Sequence, residues 1–305
     1  MRPLSHLGIG LIAVTLAACN GSAVSPSAPS VPSAPSVSPS SPASSSSPDA
    51  RTYWLRATAT QAIPPQNLFG VQPMLVITGD GIAVAQGAVP AIYPGPLMPN
   101  LVGRAISAAG QATILQAARD AGLLDGRTDF TGGSMAMGGV LGHLELMVDG
   151  TRITLTGLPD AQMQCVKAPC NPSPGTPEAF GQLWRQLADL QTWLGPELGA
   201  ETQYVATSYA LVVGPAPEQD AGLPQAPADW PLAASLALFG GPVMDGTLRC
   251  GTVSGTDAAA LRPVLATANV LTQWRQDPGT SATFGLTVRP MVPGEDVCRE
   301  VFGPG

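Results

Sequence analysis

The sequence predicts an α+β fold of antiparallel sheets with a few packed helices, and three observations predict it. Several segments alternate apolar and polar residues with a two-residue period. Two pairs of such segments meet at tight Asp/Gly turns, and capped helical patterns occur singly between them. In chain order, residues 52–61 (TYWLRATATQ) read as a strand, and PMLVITGDGIAVAQG reads as two strands around Gly79, Asp80 and Gly81. A helix follows over 106–124, with Ser107 as N-cap, Ile114, Leu115, Ala118 and Ala121 along one face, and Gly122 as its stop. After a Gly-rich loop, LGHLELMVDGTRITLTGL is a hairpin turning at Asp149 and Gly150.

The second half begins with a helix from about Glu178 to Leu194, bearing Phe180, Leu183, Trp184, Leu187, Leu190 and Leu194 at core spacing. Residues 203–214 (QYVATSYALVVG) alternate like the first strand, and TFGLTVRPMV is another strand. Between them, residues 253–271 repeat the earlier helical pattern at an offset of 147. Ile106 then matches Val253, Ser107 Ser254, Ile114 Leu261, Ala118 Leu265, Ala121 Ala268 and Leu124 Leu271. Two readings fit: duplicated sheet-plus-helix halves, with lobes at 51–175 and 176–305, or coincidence between two Ala- and Leu-rich helices.

The N-terminus has a different character. Arg2, an apolar core from Leu7 to Leu16 and the small residues Ala17 and Ala18 read as a signal peptide over 1–18, with a core too short to span a bilayer. Leu16-Ala17-Ala18-Cys19 resembles the lipobox of bacterial lipoproteins. That likeness implies a diacylglycerol on the Cys19 sulfur, removal of the preceding peptide and acylation of the freed amine, an anchor of two or more chains that holds stably to a membrane. Residues 21–50 contain 13 Ser and 7 Pro. They cannot form a core, so 19–50 is expected to be the lipidated cysteine and its disordered tether. The folded part, 51–305, also resembles a loose group of uncharacterised exported proteins of high-GC bacteria, through the GDG strand turn, IYPGP (92–96), the Ser-capped helix ending in GLL and a late cysteine pair. These motifs are structural and imply no activity.

Composition narrows the function classes. Charged residues are 11% of the chain, net charge is −7, and Lys167 is the sole lysine, so no basic patch favours nucleic acid. Four cysteines remain after Cys19, an even number in an exported chain. Three pairings exist. A local Cys165–Cys170 bridge in a Pro-rich loop leaves Cys250 for Cys298. A zinc site lacks paired C-x-x-C spacing, and the sequence indicates no cofactor or metal.

Few residues suggest chemistry. His143 is the one histidine after the signal, which removes multi-histidine metal sites. Ser134 in TGGSMAMGG departs from the G-x-S-x-G elbow at its last glycine. Met135, Met137, His143 and Met147 would suit Cu(I), although Met147 also fits as core filling on the face of His143. Asp80 and the Glu295-Asp296 pair fit turn chemistry, and the five tryptophans are scattered. Tyr93, in AIYPGPLMPN, fits either a partner-binding loop or a rigid crossover between strand and helix. The resulting expectation is a membrane-anchored envelope protein at the extracytoplasmic face that binds a macromolecule or a small ligand without chemistry of its own. The alternative is a hydrolase using paired carboxylates, which leave no local signature.

Overall fold

The computed structural model describes residues 52–61, 63–133, 140–161, 171–219, 221–276 and 281–303. The signal peptide, Cys19, the tether, Ser134, Met135, Met137, Cys165 and Cys170 lie outside the described residues. Among the described residues no helix is long and apolar enough to cross a membrane.

The α+β expectation holds, with two sheets. The first is built from β1 (Tyr53–Thr60), β2 (Leu75–Thr78), β3 (Ile82–Gln86), β4 (Leu101–Ala105), β5 (Asp129–Phe130), β6 (Leu141–Val148), β7 (Thr151–Gly157) and β8 (Thr202–Gln203). Their order is β5-β7-β6-β1-β2-β3-β4-β8, antiparallel except where β5 meets β7. The β6–β7 turn needs two successive positive φ angles, 49° at Asp149 and 77° at Gly150, which is the hairpin geometry that Asp-Gly favours.

Helix α1 (Pro65–Phe69) follows β1, and α2 (Ala108–Asp120) follows β4. The Ser107 side chain accepts from the Gly110 N–H at 3.0 Å, and the Leu123 N–H returns to the Ala118 carbonyl at 3.0 Å around Gly122. The expected 178–194 helix is two pieces, α3 (Pro177–Ala188) and α4 (Leu190–Leu194). They break at Asp189, whose side chain takes the Thr192 N–H and so starts the second piece. Leu55, Ile77, Leu144, Leu146 and Leu155 on the inner face of the first sheet pack with Ile114, Phe180, Leu183 and Leu187 of these helices. A Cβ on Gly157 would lie 2.5 Å from the Phe180 ring, so this glycine sets how closely α3 approaches.

The second sheet contains β9 (Ser208–Pro215), β10 (Ala228–Asp229), β11 (Gly241–Val243), β12 (Leu248–Ser254), β13 (Trp274–Arg275) and β14 (Thr283–Pro290), ordered β10-β13-β14-β9-β12-β11. Helix α5 (Gly255–Thr267) packs on one face through Ala258, Leu261 and Leu265, against Leu211, Val213 and Trp274. The other face, with Ala210, Val212 and Cys250, is covered by Phe69 of α1 and Val297 of α6 (Val297–Phe302). Central strand β9 is therefore buried on both sides, which explains its unbroken YALVV run.

The segment 203–214 is not one strand. Gln203 pairs with Val102 in the first sheet, whereas Ser208 pairs with Ser254 in the second, so the chain changes sheets at 204–207. Helix α3 packs by its apolar face in the first core, where Phe180 stacks on Phe130 at 6.1 Å. The two helices matched by the 147-residue offset do bury matching positions. Their sheets differ, however: β4 is three strands from β1, while β12 lies beside β9.

Besides α1, whose Phe69 packs on the second sheet, two described segments cross between the sheets. The β3–β4 connection reaches out to the end of α5, where Leu97 N–H bonds Ala268 O and Val270 N–H bonds Gly95 O, both at 3.0 Å. After β14 the chain returns over the outer face of the first sheet: Val292 packs with Tyr53, Val76, Val84 and Leu101. Helix α6 is then fastened by the Cys250–Cys298 disulfide and by stacking of Phe302 on Phe69.

Candidate functional site

A groove of about 510 Å³ lies between the outer face of the first sheet and the returning C-terminal segment. Its floor is set by register. Arg56 lies opposite Glu145, which lies opposite Thr154; Thr58 lies opposite His143, which lies opposite Thr156. Since side chains alternate faces along a strand, these rows point away from the leucine core. A register shift between Tyr53 and Leu55 turns Tyr53 onto the same outer face. Leu68 and Val71 by α1, with Val301 of α6, form an aliphatic wall.

One end of the groove is a cluster of paired charges. The Tyr53 hydroxyl donates to Glu145, and the Arg152 guanidinium sits 3.9 Å above the Tyr53 ring. Arg56 grips Glu300 with two bonds, at 3.2 and 2.5 Å. Beneath them Arg289, 4% exposed, pairs with the fully buried Glu295 and donates to Val71 O at 2.7 Å, while Glu295 also accepts the Val292 N–H at 3.0 Å. Gly294, at φ +83°, lies so close to Tyr53 that a Cβ there would be 2.7 Å from the ring.

Electrostatics follow from these contacts. Burial works against the Arg56 charge, but Glu300 and Glu295 outweigh it and lift its pKa above the ordinary guanidinium value. Burial would raise Glu300, yet hydrogen bonds from Arg56 and the Asp296 N–H hold it below the usual carboxylate range. Burial, then the bond to Glu145, pushes the Tyr53 phenol up. His143 is pushed down by burial, with Glu145 opposing weakly, so it is neutral at pH 7.

That neutral imidazole is held on both sides, Nε2 at 3.1 Å from Thr60 Oγ1 and Nδ1 at 3.2 Å from Thr156 Oγ1. The chain of hydroxyl, imidazole and hydroxyl connects a nucleophile type to a base, but an uncharged threonine behind the ring does little to stabilise an imidazolium. The hydroxyls of Thr58 and Thr154 have no hydrogen-bond partner among the described residues. Buried Nε atoms of Arg56 and Arg289 are also unpartnered.

Of the residues singled out from sequence, His143 lies in this groove, with Met147 on the same face of β6 opposite Arg152. Tyr93 is elsewhere, 67% exposed beside Ile92 on a crossover that joins two strands rather than a strand and a helix. Asp80 takes the Thr78 hydroxyl within its turn, and Asp296 pairs with Arg299 at 3.2 Å. Cys250 and Cys298 are joined. No group of three or more His, Cys, Asp or Glu among the described residues is placed to hold a metal ion. Sequence reasoning missed Tyr53, Arg56, Thr58, Thr60, Glu145, Thr154 and Glu300. The available signal was the polar half of each alternating strand, which becomes one surface once β1, β6 and β7 are paired.

No family model, no curated protein and no solved structure matches the chain.

Proposed function

We propose that the protein is a cell-envelope binding protein, tethered to the membrane by a lipid on Cys19, that holds its ligand in the groove over β1, β6 and β7. One observation carries the reading: Arg56, Glu145, Arg289 and Glu300 of the groove each bond a protein partner, while the hydroxyls of Thr58 and Thr154 do not. Such a surface offers hydrogen bonds to a ligand without a ready acid and base. Glu145 and Glu300 are the two carboxylates a hydrolase would use, and their engagement with Tyr53 and Arg56 favours binding over turnover.

A thermal-shift screen of the full-length protein against metals, sugars and peptidoglycan fragments tests this. At about 100 times Kd a ligand adds about 2.7 kcal/mol of stability. A shift abolished by a groove-filling Thr154→Trp substitution supports the reading, and a shift indifferent to it places the ligand elsewhere. Mass spectrometry of the membrane-extracted protein should find a lipid on Cys19; an unmodified N-terminus beginning elsewhere removes the tether.

A further inference from the structure

We infer that the ligand of this groove is an uncharged oligosaccharide, an inference that rests on the binding reading above. The charges of the site are already balanced. Glu300 is paired with Arg56, Glu295 with Arg289, and Arg299 with Asp296, while Tyr53 and Arg152 flank Glu145. An anionic or cationic ligand would have to open the half-buried Arg56–Glu300 pair or the buried Arg289–Glu295 pair or remain uncompensated, and opening the buried pair leaves the other charge stranded. A neutral ligand meets neither obstacle.

The uncharged part of the groove has two chemically distinct sides. The floor carries the free hydroxyls of Thr58 and Thr154 beside the neutral ring of His143, each hydroxyl able to donate and accept. The wall is aliphatic, from Leu68, Val71 and Val301. A sugar ring has the complementary division, with hydroxyls around its edge and C–H groups on its faces. Tyr53 supplies no stacking face, because Arg152 lies over its ring, so the apolar side of the sugar rests on the aliphatic wall instead. The groove volume of about 510 Å³ is within the ordinary range for small-ligand sites.

The test is titration calorimetry on the full-length protein in detergent with four probes: the N-acetylglucosamine trimer, maltotriose, trigalacturonate and the trialanine amide. One or both neutral sugars should bind, with an affinity unchanged between about 0.05 and 0.5 M salt because no charge is neutralised. Thr58→Val and Thr154→Val, which keep side-chain shape and leave the melting temperature in place, should each weaken binding about threefold to tenfold. Tighter binding of trigalacturonate or of the peptide amide, abolished by Thr154→Trp, overturns the sugar assignment and leaves the groove as the binding site. Binding of a sugar that neither valine variant nor Thr154→Trp affects overturns both, as does the absence of heat from all four probes.

Discussion

The two sheets are covered differently, and the difference locates the site. The second sheet has α5 on one face and α1 with α6 on the other, and its central strand reads as an unbroken apolar run. The first has its helices on one face, while its other face is only partly overlaid by the returning C-terminal segment. Strand β6, and β1 beyond its register shift, therefore alternate, and what they direct outward is Arg56, Thr58 and Thr60 beside His143 and Glu145. A sheet closed on both sides is all core; one left half open holds a polar row at fixed spacing on a rigid support.

The largest way to test that contrast is at the buried pair. Arg289→Met should destabilise by about 3 to 5 kcal/mol in denaturant unfolding, because it strands Glu295 without its main partner. Arg152→Met, at the open rim of the first sheet, should cost less than about 1 kcal/mol. Equal losses would mean that the two environments do not differ as described.

Next comes the disulfide. Cys250 and Cys298 are 48 residues apart, a loop whose closure entropy amounts to about 4 kcal/mol. Cys250→Ser with Cys298→Ser should lower stability by about 3 to 4 kcal/mol and raise hydrogen exchange in α6 well before the first core. Gly157→Ala, which drives a methyl group into Phe180, should cost about 1 to 3 kcal/mol by overpacking the first core alone.

The matched helices give a smaller contrast. Ser107→Ala removes a capping bond and should cost about 1 kcal/mol, whereas Ser254 makes no side-chain cap and its replacement should be near neutral. The mildest effect is in pH. Burial holds the folded-state pKa of His143 below its ordinary 6.5, so as pH falls the unfolded chain takes up the proton first. The stability this group contributes is full above 6.5 and declines as pH drops through the folded value. His143→Gln should flatten that slope in unfolding measured across this window.

How much was legible depended on whether neighbours in sequence were neighbours in space. Ser107, Gly122, Asp149 and Gly150 act within a few residues, and each cap and turn follows from local chemistry. The break at Asp189 was hidden because the apolar spacing runs straight through it; only its side chain, competing for the Thr192 N–H, divides the helix. The transfer between sheets at 204–207 was invisible for the same reason, since alternation does not name a partner strand. The groove needs Arg56 against Glu145 and Glu300, separations of 89 and 244 residues, which no periodicity encodes. Cys250 with Cys298 was reached by counting, as one of three pairings.

The two crossing segments lead in opposite directions, and that has a practical meaning for anyone who would cut the chain at 204–207. The first half would carry away Leu97 and Met98, which help seal the second core, and the second half would keep Val292, which roofs β2, β3 and β4. Expressed apart, each fragment would expose the seat of the other's arm. Mixed together they should reassemble, as the halves of a split protein do, with the groove restored only in the reunited pair.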